Sequence, residues 1–180
     1  MKMAGFYDES ISNGEGWRAV LFVSGCPHHC PGCHNKEAQD FGYGEEFNEQ
    51  DLLDRIKENS ILKGITISGG EPLCKENINT VHKFIKDVKE IRPNFNVWCY
   101  SGYTLDQLLA RNDADTNECL KDIDVLVDGQ FVQAKKDPTL KFRGSSNQRI
   151  LDVKNSLKNN QFIVAAFQAE REHVETNVGT

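Results

Sequence analysis

Four short apolar runs recur along the chain, each ending in turn-forming residues. Arg18-Ala19-Val20-Leu21-Phe22-Val23 leads into Ser24-Gly25-Cys26, and Ile65-Thr66-Ile67-Ser68 leads into Gly69-Gly70-Glu71-Pro72. Asn96-Val97-Trp98-Cys99-Tyr100 leads into Ser101-Gly102, and Asp124-Val125-Leu126-Val127-Asp128 into Gly129. Short apolar runs bounded by turn formers predict buried strands. Between them Val81, Phe84, Ile85, Val88 and Ile91 share one helical face, and Pro93 ends it. Leu52, Leu53 and Ile56, and later Leu105, Leu108 and Leu109, mark two shorter helices. Strands alternating with helices predict an α/β fold whose parallel strands are joined by right-handed crossovers. The loops past the C-terminal ends of such strands gather on one edge, where ligands bind. All four turns are expected there.

A full eight-stranded barrel takes about 250 residues. A chain of 180 residues therefore has room for a partial, open (β/α) barrel of about five or six strands, smaller than a full TIM barrel. Residues 1–153 are expected to form the main domain and 154–180 a C-terminal extension. The extension's apolar run at Phe162-Ile163-Val164-Ala165-Ala166-Phe167 adds a strand or helix, and its last residues are expected to be disordered.

Composition narrows the class. With 38% hydrophobic and 27% charged residues the chain reads as an ordinary soluble domain. A net charge of -6 without a basic stripe argues against a nucleic-acid binder. Apolar runs are far too short for a membrane span or a leader, so a cytoplasmic protein is expected. Six cysteines in a reducing compartment are not a disulfide framework, which points to metal or redox chemistry.

Three of those cysteines lie in Cys26-Pro27-His28-His29-Cys30-Pro31-Gly32-Cys33-His34. A loop with two prolines and a glycine lets the sulfurs of Cys26, Cys30 and Cys33 converge. Spacing alone leaves zinc, with His28, His29 or His34 as fourth ligand, evenly matched with an iron-sulfur cluster. Unliganded loop cysteines are a third, weaker reading, and the lack of a second cysteine pair weakens zinc. Ser68-Gly69-Gly70-Glu71-Pro72 tips the balance. Two glycines let backbone carbonyls approach a ligand, and Glu71 adds a carboxylate, so the turn offers acceptors suited to an ammonium group. Taken alone, the same residues suit a tight strand-to-helix turn with Pro72 at the helix start.

Cys26-x3-Cys30-x2-Cys33 after one strand and Gly69-Gly70-Glu71 after the next resemble the radical S-adenosylmethionine superfamily. More narrowly, the chain resembles the activating enzymes of anaerobic (class III) ribonucleoside-triphosphate reductases. The matching stretches are Asn13-Gly14-Glu15-Gly16, Leu21 to Cys26, Cys30-Pro31-Gly32-Cys33-His34-Asn35-Lys36, Ile67 to Leu73, Trp98-Cys99-Tyr100-Ser101-Gly102-Tyr103, Val125 to Phe131 and Leu140 to Arg149. They span roughly residues 11 to 153, so 1–153 would be the radical SAM activating-enzyme domain.

The resemblance implies a 4Fe-4S cluster with three cysteine ligands, Cys26, Cys30 and Cys33, and S-adenosyl-L-methionine on the fourth iron. One electron would cleave the sulfonium to methionine and a 5'-deoxyadenosyl radical, which would take a hydrogen from a glycine of the large reductase subunit. Ser68, Gly69, Gly70 and Glu71 would receive the cofactor's amino acid end. Tyr100, Ser101 and Gly102, within Trp98 to Tyr103, would flank its ribose or methionine. Many superfamily members carry an aromatic residue before the third cysteine. This chain has Gly32 there, so adenine contacts would fall to His34 and the backbone of Gly32 and Cys33. Asp128 would bind a polar group of the cofactor, or be a plain strand-end turn residue. Arg143, Asn147 and Gln148 would touch the cofactor or the partner's glycine loop, or be a polar loop anchored to backbone. Cys74, Cys99 and Cys119 are expected to be unliganded. A one-electron reductant such as flavodoxin is implied. The competing functions are activation of another glycyl-radical enzyme, radical chemistry on a small molecule, and a non-catalytic zinc-binding module.

Overall fold

The computed structural model describes residues 1–166. From the N-terminus come β1 (Lys2–Ser10), β2 (Arg18–Val23), β3 (Glu45–Glu46), α1 (Glu49–Glu58), β4 (Gly64–Gly69), α2 (Ile78–Ile91) and β5 (Asn96–Ser101). They are followed by α3 (Leu105–Ala110), α4 (Ala114–Asp122), β6 (Val125–Asp128), β7 (Arg149–Asp152) and α5 (Val153–Asn159). The strands form one seven-stranded sheet in the order β3-β1-β2-β4-β5-β6-β7. The four expected strands are its parallel centre, with Arg18 opposite Gly64, Gly64 opposite Asn96 and Trp98 opposite Val125. Their C-terminal ends therefore share one edge, and the four turns read from the sequence emerge there together.

The flanks differ from the expected all-parallel arrangement of five or six strands. β1 and β7 run antiparallel to their neighbours β2 and β6, and the two-residue β3 pairs antiparallel with β1. A short link at 11–17 can join β1 to β2 only as an antiparallel pair, because a parallel return needs a crossover of a dozen or more residues. Most of β1 is partly exposed and interrupted by a bulge, so it lacks the continuous apolar run of a buried strand.

The helices cover one face of the sheet. Ala19, Leu21, Val23, Ile65, Ile67, Val97, Cys99 and Leu126 point toward Leu52, Ile56, Val81, Phe84, Ile85, Val88 and Leu108 in a single buried cluster. Alternation along the strands sends the intervening residues to the other face. There Trp98, Val127, Ile150 and Ala165 form a smaller cluster with Tyr100, Val125 and Phe142. Beyond α5, Val164 bridges Leu151 and Ala165 N–H donates to Ile150 O, so among the described residues the expected added element contributes a bridge along β7. Residues 167–180, for which disorder is expected, lie outside the described residues. No helix among the described residues is long and apolar enough to cross a membrane.

Arg18 is 1% exposed on this second face. Its guanidinium donates to Thr66 Oγ1, Glu15 O, Ile65 O and Asn96 O, and lies 5.4 Å from the Trp98 ring centre. Burial pulls its pKa down to about 10, so the group stays charged at neutral pH. It thereby ties the loop before β2 to β4 and β5. Arg18→Met keeps the apolar stem but strands these acceptors. Each unpaired buried acceptor costs about 1–3 kcal/mol, so we expect a loss of roughly 3 kcal/mol. Urea unfolding of the reduced, metal-free protein checks this as a lower midpoint at unchanged slope.

Candidate active site

The loop after β2 starts buried and ends tethered. Ser24 N–H donates to Lys2 O, Gly25 N–H to Ala38 O and Cys26 N–H to Gln39 O, so both ends of the 24–39 loop are held by backbone bonds. Cys26 is buried, and Cys30 and Cys33 are half-buried and joined by a turn bond from Cys33 N–H to Cys30 O. Burial pushes the Cys26 thiol up to about 11, opposed in part by the backbone N–H of His28. Burial, and then the neighbouring Cys33, also raises Cys30, while the N–H of Phe131 works the other way. N–H groups facing these sulfurs are the kind of contact that tunes an iron-sulfur cluster.

The turn after β4 lies directly against this loop. Gly70 N–H donates to Val23 O over 2.7 Å and Glu71 N–H to Gly25 O over 2.8 Å. A Cβ on Gly70 would sit 2.4 Å from Gly25 O and 2.7 Å from Ala38 O, so no side chain fits. Asn35 Nδ2 donates to Gly69 O, and Asn77 Nδ2 spans Ser24 O and Glu71 O. The glycines therefore serve the contact between the two loops. Pro72 does not open a helix, since α2 begins at Ile78.

Glu71 is fully buried. Its Oε1 accepts from Leu73 N–H and Ser101 Oγ, and its Oε2 from Gly102 N–H at 2.6 Å and His28 Nε2 at 2.9 Å. Asp128, also buried, accepts from Leu105 N–H at the start of α3 and from Arg149. The carboxylate of Asp128, with that of Asp106, pushes the Arg149 pKa up. The loop before β7 is anchored largely to backbone: Arg143 donates to Gln148 O, and Gln148 accepts from Gly144 and Ser145 N–H and donates to Gly129 O. Asn147 Nδ2 donates to Gln130 O, which leaves its buried Oδ1 without a hydrogen-bond partner.

Of the residues read from the sequence, Cys33, His34, Ser68, Tyr100, Arg143 and Gln148 line one cavity of about 400 Å3 on the sheet face without helices. A second hollow of about 440 Å3 opens on the other side of Phe22, His34 and Asn35 and reaches Gly69. Glu71, Ser101, Gly102 and Asp128 belong instead to the hydrogen-bond network beside the cavity. The sequence alone assigned no role to Asn35, Asn77 and Phe131, and to His28 only that of a candidate fourth zinc ligand. Only His28 and Asn35 had a signal, their place in the cysteine loop.

The donor set can be weighed against both metals. His28 is committed through both ring nitrogens, to Glu71 and to Gln130, so it is not available as a fourth zinc ligand. Among the described residues no three His, Cys, Asp or Glu side chains converge on a single ion position. Zinc needs its ligands about 2.0–2.3 Å from one point, whereas a cluster takes each cysteine at a separate corner. A cavity of a size usual for small-molecule sites, with Ser68, Tyr100, Arg143 and Gln148 in its wall, gives room and polarity for a ligand beside Cys33.

Known proteins bear on the metal. The family model of the 4Fe-4S single cluster domain matches residues 12–151, which decides the metal in favour of an iron-sulfur cofactor. The chain is 42% identical over 149 residues to the anaerobic ribonucleoside-triphosphate reductase-activating protein of Haemophilus influenzae, covering 81% of this chain and 94% of that protein. The protein of that name from Escherichia coli K12 is 40% identical over 147 residues, 79% of this chain and 93% of its own. The bacteriophage T4 protein is 35% identical over 151 residues, 80% and 89%.

Thiol labelling of the metal-free protein reports this geometry. With a pKa of about 11, only about one Cys26 in 1,000 is a thiolate at pH 8, and alkylation follows the thiolate. Cys30 and Cys33, which are only half-buried, should be labelled by iodoacetamide before Cys26. Cys74, pushed up to about 12 by burial, and the fully buried Cys99 and Cys119 should react only on unfolding. Raising the pH to 10 should speed Cys26 labelling roughly 100-fold, since the charged form gains tenfold per unit below its pKa. Peptide mass spectrometry reads the order, and Cys26 reacting as fast as Cys30 would contradict it.

Proposed function

The chain belongs to the family of anaerobic ribonucleoside-triphosphate reductase-activating proteins, and from that premise we propose that it makes the glycyl radical of the reductase's large subunit. In this reading Cys26, Cys30 and Cys33 hold three irons of a 4Fe-4S cluster, and S-adenosylmethionine occupies the fourth. The cluster and cofactor together supply a carbon-centred radical that removes a hydrogen atom from a backbone glycine of the partner. The parallel strands β2, β4, β5 and β6 then correspond to the partial, open barrel of radical SAM enzymes, with residues 1–153 as its domain.

The observation that carries the reading is the contact between the cysteine loop and the Gly-Gly-Glu turn at the mouth of a cavity that Cys33 and Ser68 share. The remaining work falls to the chain's own residues. The turn at Ser68, Gly69 and Gly70 receives the cofactor's amino end, the edge made by Tyr100 and Ser101 flanks its sugar, and His34 lies beside the base with Gly32 and Cys33. His34 is exposed and meets the Phe131 ring edge to face at 6.2 Å, which leaves it room to turn toward a ligand. Arg143 and Gln148 share that cavity's wall, and Asn147, beside Gln148 in the chain, would contact the cofactor or the partner's glycine loop with them. Burying the thiolates excludes water and favours the cluster's less charged states. A one-electron reductant such as flavodoxin completes the cycle.

Anaerobic reconstitution followed by incubation with S-adenosylmethionine, a reductant and the reductase large subunit should give a glycyl-radical doublet by electron paramagnetic resonance. No doublet with that subunit, or a doublet only with an unrelated glycyl-radical enzyme, defeats the assignment. Single Cys26→Ala, Cys30→Ala and Cys33→Ala variants should lose the iron and the absorbance near about 400 nm expected of Fe–S charge transfer. Cys74→Ala and Cys119→Ala should keep both, because their thiols are buried and belong to other segments than the 24–39 loop.

A further inference from the structure

Among the imidazoles of the cysteine loop, His28 is the one turned inward, with a side chain only 8% exposed. Its ring meets three other loops. Nε2 donates to Glu71 Oε2 in the loop after β4, and Nδ1 accepts from Gln130 Nε2 in the loop after β6, both at 2.9 Å. In the loop after β5, the Tyr103 ring packs edge-to-face at 4.3 Å between centres, itself covered by the Arg111 guanidinium at 4.1 Å. Gly102 belongs to that same loop. A Cβ there would lie 2.3 Å from His28 Cδ2 and 2.6 Å from Nε2, so residue 102 has no side chain because the imidazole fills the space.

Glu71 forms the floor of this socket. A carboxylate has about four acceptor directions. Here Leu73 N–H, Ser101 Oγ, Gly102 N–H and His28 Nε2 take them. A ligand's ammonium could reach this carboxylate only by breaking one of those bonds. The other three donors sit on the floor itself, and His28 alone comes from the cysteine loop.

We infer that His28 is a positioning residue: a peg that fixes the cysteine loop in register with the loops after β4, β5 and β6, with Glu71 acting through it as anchor and the ammonium received by the carbonyls of residues 68–70. This rests on the function proposed above. Backbone bonds hold the loop at Gly25 and Cys26 and again at Ala38 and Gln39. The stretch that carries Cys30 and Cys33 lies between those ties. His28 and Asn35 are the side chains that fasten it to the cofactor turn.

The test uses the reconstituted full-length protein and separates cluster loading from cofactor fit. Iron content and absorbance measure the first. Equilibrium binding of S-adenosylmethionine, and the change it causes in the resonance spectrum of the reduced cluster, measure the second. His28→Ala should keep wild-type iron but bind the cofactor about 10- to 100-fold more weakly, in line with loss of groups that orient metal-site ligands. The cofactor-induced spectral change should weaken with it, and KM should rise more than kcat falls. Gly102→Ala removes no polar group but occupies the peg's socket, so it should reproduce the defect. His28→Gln, whose amide can both donate to Glu71 and accept from Gln130, should recover part of the affinity. Wild-type cofactor binding by both His28→Ala and Gly102→Ala overturns the inference. So does loss of iron in His28→Ala alone, which would make the imidazole a ligand. If the wild-type protein binds no S-adenosylmethionine, the proposed function fails instead.

Discussion

Backbone touches backbone where the turn after β4 meets the loop after β2, and the rest of the site depends on that contact. Gly70 lies so close to Gly25 O and Ala38 O that a single added carbon would overlap both. The gain is two short hydrogen bonds, from Gly70 to the end of β2 and from Glu71 into the cysteine loop, in a place where unpaired amides would be costly. Because β2 and β4 are adjacent and in register from Arg18–Gly64 to Val23–Gly69, the two loops leave the sheet side by side. The sheet thus supplies the approximate position of the cysteine loop. The Gly70 contact, Asn77 and His28 supply the remainder.

The two faces of the sheet divide stability from chemistry. The helix-covered face is apolar along the whole length of the central strands. The opposite face changes character from one end to the other. At the N-terminal end Arg18 and Thr66 lie buried beside Trp98, their polar atoms satisfied by carbonyls. At the C-terminal end Ser68 and Tyr100, on the same face two residues further along, line the cavity. Burial raises the Tyr100 hydroxyl pKa, so that residue offers a neutral donor and acceptor there. A closed polar floor below an open polar mouth puts the ligand space at the strand ends.

Much of this was legible in the sequence because it depends on local pattern. The strands at 18–23, 64–69, 96–101 and 125–128 are short, mostly apolar runs bounded by turn formers, and Val81 to Ile91 repeat with helical period. β1, β7 and α4 were not read. β1 carries Gly5 and a charged C-terminal end, and β7 is four residues long. In α4 the buried positions are Thr116, Cys119 and Leu120, too few apolar residues to mark a face. At the site, the spacing of Cys26, Cys30 and Cys33 and the glycine pair stood out, but the reason for the glycines differs. They were read as opening carbonyls to a ligand, and in the structure Gly70 makes room for the neighbouring loop. That contact joins residues 45 positions apart in the chain (70 − 25), and no local pattern carries it. The same holds for Glu71 and His28, whose meeting depends on the parallel register.

The register also bears on why, in the proposed reading, three cysteines would need no fourth partner from the chain. The inward-facing polar side chains at the strand ends are already occupied. His28 is held by Glu71 and Gln130, Glu71 by four donors, and Asp128 by Arg149 and the first amide of α3. Cys74 is buried, which pushes its thiol up to about 12 and disfavours the thiolate that iron requires. Recruiting His28, Glu71 or Asp128 would break a satisfied network, at a cost of about 1–3 kcal/mol for each group left unpaired. In the proposed reading, a cluster on Cys26, Cys30 and Cys33 would keep one iron for a ligand from solution. The buried polar network around the site would help to keep that position open.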